Sequence, residues 1–194
     1  MDIRTKEAIR YLGYGKSEVD EKTLTMMKES FLELQSLSEK RHVSRTYEIS
    51  FSRDEQVNMG QLEIQSKNLC RNLLGCKEVY LFAATLGTDV DRQIRKYEVI
   101  NLPKAVVFQA CAAAYLEEYC DEIQCVLAEA MKESGRWIRP RFSPGYGDFS
   151  IEHQRKVLDM LDAGKTIGLT LTEGYMLTPS KSVTALIGIG DTKE

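Results

Sequence analysis

The longest helical pattern in the sequence begins at Pro103 and runs to about Ser134, where Gly135 stops it. Proline suits a first helical turn because its missing N–H would have no intrahelical partner there. Gln109, Ala113, Leu116, Cys120, Ile123, Leu127 and Ala130 recur at helical spacing and form the expected core stripe. At about 100° per residue, Glu117 falls at the edge of this stripe and Glu118 points well away from it. Residues 110–114 (ACAAA) carry only small side chains, so another backbone or a ligand can approach the helix closely. Periodicity by itself describes an amphipathic helix with a solvated acidic face.

The other segments alternate between the two periods. Residues 2–12 hold a short helical pattern closed by Gly13-Tyr14-Gly15. Asp20 is placed to cap a helix running to about Lys40, with Leu24, Met27, Phe31, Leu34 and Leu37 on one face. Tyr47, Ile49 and Phe51 alternate in a strand over 45–51, and 61–65 reads as a second short strand. Ser66 caps a helix stopped by Gly75. Residues 79–84 are a continuous apolar run, the pattern of a buried strand, and Thr88 or Asp89 caps a helix to about Leu102. Ser150 caps a helix over 151–161. The last segment reads as two strands joined by a turn at Pro179-Ser180-Lys181-Ser182. Helices and strands mix without a β-α-β rhythm. The expected class is therefore α+β: a single domain over 1–194, with a mixed, mostly antiparallel twisted sheet and long helices.

Composition removes several functions. The net charge is −3 over 194 residues, with both signs interspersed, so no nucleic-acid footprint is expected. No apolar run reaches the roughly 20 residues that span a bilayer, and no secretory signal opens the chain, so the expected location is cytoplasmic. The five cysteines form no C-x-x-C pair, and neither His42 nor His153 has ligand spacing to one. No disulfide and no metal site are expected; the thiols are read as reduced, structural groups. No set of side chains suggests an acid, base or nucleophile, so no catalytic residue is assigned.

Residues 141–148 (RFSPGYGD) are the second informative feature. Two glycines and a proline in so short a stretch dictate an unusual backbone path. Such a path can leave amides unpaired within the protein and open to a ligand. Arg141 can clamp a carboxylate with two parallel bonds, and Tyr146 can lie against a flat ring. A surface turn with an arginine beside it has the same local pattern. No Gly-rich nucleotide motif and no P-loop are present.

Residues 141–148, followed by 167–173 (IGLTLTE) and 178–183 (TPSKSV), resemble the S-adenosylmethionine-binding activation domain of vitamin B12-dependent methionine synthase, particularly its small free-standing members. The resemblance covers about 103–188. It implies that an R-x-x-x-G-Y motif, here Arg141, Gly145 and Tyr146, binds S-adenosylmethionine. Arg141 would hold the methionine carboxylate, backbone around Ser143 and Gly145 would face the adenosine, and Glu117 would contact the amino group.

The resemblance also implies a function. The protein would support reductive methylation of cob(II)alamin, with S-adenosylmethionine as methyl donor, acting as an accessory subunit inactive alone. The cobalamin would be carried by a separate cobalamin-dependent methionine synthase lacking its own activation domain, with a flavodoxin-like electron donor. Two readings stand beside it: a non-catalytic docking module for a corrinoid protein, and a reactivator of another corrinoid methyltransferase.

Overall fold

The structure is a computed structural model and describes residues 2–14, 18–52 and 54–191; Gly15, expected to help close the first helix, lies outside them. In chain order the elements are helices α1 (Ile3–Tyr11) and α2 (Glu21–Leu37), strands β1 (Arg41–Glu48), β2 (Ser50–Ser52), β3 (Gln56–Met59) and β4 (Leu62–Gln65), helix α3 (Lys67–Asn72), strand β5 (Cys76–Thr85), helices α4 (Thr88–Ile100) and α5 (Leu102–Lys132), strand β6 (Trp137–Ile138), helices α6 (His153–Leu161) and α7 (Ala163–Ile167), and strands β7 (Thr170–Leu171), β8 (Leu177–Thr178) and β9 (Ser182–Gly190). They group into two compact units. One comprises Met1–Arg41, Thr85–Glu122 and Pro179–Lys181; the other comprises His42–Ala84, Ile123–Thr178 and Ser182–Glu194. The class is mixed helix and sheet with antiparallel pairings, as expected.

The first unit is helical. Asp2 accepts from the Thr5 N–H at 2.7 Å, and Asp20 accepts from the Thr23 N–H at 2.9 Å and its hydroxyl at 2.7 Å. These side chains satisfy amides that the first helical turn leaves unpaired. Met27, Phe31 and Leu34 are buried on α2. Two neighbouring helices touch the first part of α5. The Cys111 thiol lies 3.9 Å from the Met27 carbonyl of α2, and the Phe108 ring meets Tyr97 of α4 edge-on at 5.5 Å between centroids. Burial there is consequently not a single stripe: Ala105, Val107, Phe108, Ala110, Cys111, Ala112, Ala114, Tyr115, Leu116, Tyr119 and Cys120 are all buried. The expected stripe is corrected accordingly. Gln109, Ala113 and Leu127 are only half-buried, and Ala130 is exposed. The expected side-chain cap of α4 is also replaced. Its N-cap is Gly87, at φ +87°, whose N–H donates to the Thr85 hydroxyl at 3.1 Å.

The second unit contains a four-stranded sheet in the order β1-β5-β9-β6, a three-stranded antiparallel meander β2-β3-β4, and the β7–β8 hairpin. Its core gathers Val57, Ile64, Leu69, Leu81, Phe149, Val157, Leu161 and Leu186. On α6 the buried residues Gln154, Val157, Leu158 and Leu161 fall at i, i+3, i+4 and i+7, one amphipathic face.

Four expectations change in this unit. The strand expected over 45–51 is split, because the chain changes sheets at Ile49. The Ile49 N–H donates to Lys77 of β5 at 2.9 Å, whereas Ser50 pairs with Asn58 of β3. Strand β3 was not expected; Gly60, at φ +56°, makes the hairpin turn between it and β4 at a position where short hairpins take glycine. The helix expected from Ile151 begins at His153 after a turn, although the Ser150 hydroxyl accepts from the Glu152 N–H at 3.4 Å. The segment before the proline turn closes on itself as the β7–β8 hairpin, while β9 joins the four-stranded sheet.

None of the five cysteines is joined in a disulfide. Burial pushes the Cys111 thiol up to about 12. Cys125 is exposed, against the expectation of a packed thiol there. Among the described residues no helix is long and apolar enough to cross a membrane.

Candidate functional site

The segment from Trp137 to Phe142 runs antiparallel to β9. Arg139 donates its N–H to Gly188 at 2.8 Å, and Phe142 exchanges both backbone bonds with Leu186 at 2.9 and 2.8 Å. Arg141 is therefore fixed at its Cα by the pairing of its neighbour. Its side chain is half-buried, and its Nη1 donates to Oε1 of Gln124 on α5 at 2.8 Å.

After Phe142 the chain turns tightly. Gly145 sits at φ +89° and Gly147 at φ +58°, the left-handed region that favours glycine. The loop is bonded to itself: Gly145 donates to Phe149 at 2.7 Å, Tyr146 to Ser143 at 3.1 Å, and Phe149 to Tyr146 at 3.1 Å. The expectation that this path leaves amides open to a ligand is therefore corrected for Gly145 and Tyr146, whose N–H groups are used inside the loop. Space is tight as well. A Cβ on Gly145 would lie 3.0 Å from the Ile151 Cδ1, and one on Gly147 would lie 2.5 Å from the Asn68 Nδ2.

Asp148 pins the far end of the loop. Its carboxylate accepts from the Ser66 hydroxyl, from the Lys67 N–H at 2.8 Å and from the Asn68 N–H at 3.2 Å, all at the start of α3. The Ser66 hydroxyl bond, followed by the Asn68 and Lys67 amides, holds the Asp148 carboxyl below its ordinary range. The Phe142 ring lies under the loop, stacked at 6.3 Å on buried Phe149 and meeting Tyr146 edge-on at 5.7 Å. Tyr146 itself is 70% exposed, so the loop presents a rigidly carried aromatic ring to solvent.

Of the five residues assigned to ligand binding, Arg141, Ser143, Gly145 and Tyr146 share this loop in the second unit. Glu117 belongs to the first unit. It is half-buried, and its charge raises the Tyr11 hydroxyl pKa, second to burial itself. Glu118 was expected to point into solvent; instead it is half-buried and pairs with Arg4 at 3.3 Å. The Arg4 guanidinium also covers the Phe31 ring at 4.7 Å, so Glu118 serves to hold α1 on α5. Gln124 was not among the expected site residues. The available signal was a lone amide among Ile123, Cys125, Val126 and Leu127. Three surface clefts, of about 350, 610 and 390 Å³, are lined by other residues and include none of 141–148.

The family model described as vitamin B12 dependent methionine synthase, activation domain, matches residues 78–193, more than half of the chain. The chain belongs to this family. The matched span begins before the motif-bearing region and takes in most of β5, α4, α5 and the whole 141–148 loop, so the family match does not rest on the loop alone. Among solved structures, the fold is similar to that of the MetH reactivation domain bound to AdoHcy. The TM-score is 0.65 and the identity 14%, covering 100% of this chain and 69% of that one. Among the curated proteins none matches.

Proposed function

We propose that this activation domain binds S-adenosylmethionine and presents it to cob(II)alamin carried by a separate cobalamin-dependent methionine synthase that lacks such a domain, with a flavodoxin-like protein as electron source. The observation that carries the reading is Arg141, held by Gln124 at one end of a loop whose path requires glycine at 145. A guanidinium oriented in this way suits a carboxylate, which takes two parallel N–H bonds in one plane. The similar MetH reactivation domain was crystallised with AdoHcy, the compound S-adenosylmethionine becomes when it gives up its methyl group.

In this reading Arg141 takes the methionine carboxylate and Glu117 the amino group. The exposed ring of Tyr146 lies against the ligand, beside backbone of Ser143 and Gly145. S-adenosylmethionine supplies an electrophilic sulfonium methyl, and one electron from the donor makes the partner's cobalt nucleophilic enough to accept it. The protein's contribution is to orient the methyl group and to exclude other approaches. No side chain need exchange a proton. Calorimetric titration of S-adenosylmethionine into the pure protein tests the first half of the reading. Saturable one-site binding is expected. A flat titration, with retained binding to a cobalamin-loaded synthase, would leave a docking module in its place.

A further inference from the structure

Three aromatic rings run from the core of the second unit to its surface. Phe149 is fully buried and belongs to the core. Phe142 is half-buried and stacks on it at 6.3 Å between centroids, with the planes 17° apart. Tyr146, the exposed member, meets Phe142 edge-on at 5.7 Å and 85°. Offset-stacked and edge-on pairs are the arrangements that ring quadrupoles favour.

The Tyr146 main chain is already held. Its N–H donates to Ser143 at 3.1 Å, and its carbonyl accepts from the Phe149 N–H at 3.1 Å. These bonds fix where the side chain starts and leave its two torsions open. An exposed ring turns about such torsions quickly, and a ligand that must still it gives up affinity in doing so. Phe142 restrains that turning, and it is itself anchored: its backbone exchanges two bonds with Leu186 of β9 and its ring rests on Phe149. An edge-on neighbour takes at most one face of the Tyr146 ring, so a flat group can lie on the other. From these observations we infer that Phe142 is a positioning residue: it sets the attitude of the Tyr146 ring, which then offers a ready platform to the flat purine of the ligand. The inference rests on the proposal that S-adenosylmethionine lies against Tyr146.

In this role Phe142 acts on the ligand only through Tyr146, and a double-mutant cycle isolates that dependence. S-adenosylmethionine is titrated calorimetrically into wild type, Phe142→Leu, Tyr146→Ala and the double variant, with thermal unfolding as a control on folding. Phe142→Met takes the place of Phe142→Leu if the leucine variant does not fold. Tyr146→Ala is expected to lose about ten-fold or more in affinity. Phe142→Leu is expected to lose about three- to ten-fold when Tyr146 is present, and less than about two-fold when it is absent. A general loosening of the loop would weaken binding equally in both backgrounds. That result, or no loss from the Phe142 variant, overturns the role given to Phe142 and leaves the function standing. Unchanged affinity in Tyr146→Ala takes the ring out of the site and overturns the inference, again without touching the function. A wild-type protein that fails to bind S-adenosylmethionine removes the function, and this inference with it.

Discussion

The first part of α5 and the 141–148 loop are held by opposite means. Along α5, side chains do the holding: Phe108 packs on Tyr97, Cys111 lies against the α2 backbone, and small residues are buried on several sides. In the loop the backbone does it, through two left-handed glycines, three internal bonds and the Asp148 anchor, while Tyr146 stays largely exposed. A packed helix spends its side chains on stability. A loop held by its backbone leaves side chains for a ligand. Substitutions of the buried side chains in the first region should therefore be read out as folding, and those of the side chains that the loop exposes as binding.

The largest effect belongs to the helix. Phe108 is fully buried, and Phe108→Ala should cost about 3–5 kcal/mol of stability, measured by denaturant unfolding. A loss under about 1 kcal/mol would mean that α5 is not packed as described. Next comes Arg141→Lys, which keeps the charge but loses the planar fork. It should cost about 1.5–3 kcal/mol in S-adenosylmethionine affinity, roughly ten- to hundred-fold, with unfolding near wild type. Wild-type affinity in this variant would remove Arg141 from the site.

Gly145→Ala sharpens the comparison because it touches both properties. An alanine at φ +89°, 3.0 Å from Ile151, should cost about 1–2 kcal/mol of stability and should also impair ligand binding. Full binding with an intact fold would show that the loop path does not matter to the ligand. The smallest effect separates two adjacent carboxylates. Glu118→Ala removes a half-exposed ion pair with Arg4 and should lower stability by about 0.2–1 kcal/mol without altering affinity. Glu117→Ala should weaken binding and leave stability nearly unchanged. The reverse order would exchange their roles.

The same contrast governs what could be read from the sequence. The loop was legible because proline and glycine act locally: Pro144, Gly145 and Gly147 mark an unusual backbone path, and both glycines are left-handed. Helix ends were legible for the same reason at Asp20, Ser66 and Gly135. The faces of α5 were not, since alanine and cysteine are acceptable on every side of a helix and the decision falls to α2 and α4. Strand β3 was hidden because the alternation of Gln56 and Asn58 with Val57 and Met59 lasts only four residues, between the polar pair Asp54-Glu55 and Gly60. The split at Ile49 depends on which sheet each residue pairs with, and no local pattern reports that. Gln124 and the Asp148 anchor were equally out of reach, because each is defined by a partner 17 or about 80 positions away.

The central claim is that this protein makes methyl transfer from S-adenosylmethionine to another protein's cobalamin possible. The direct measurement is the absorbance of a cob(II)alamin-loaded methionine synthase lacking an activation domain, followed with S-adenosylmethionine and a flavodoxin reducing system, with and without this protein. The spectrum should convert to that of methylcobalamin only when this protein is present, and the Arg141→Lys variant should slow the conversion at limiting S-adenosylmethionine. Conversion at the same rate without the protein, or none with it although both ligand and synthase bind, would contradict the account.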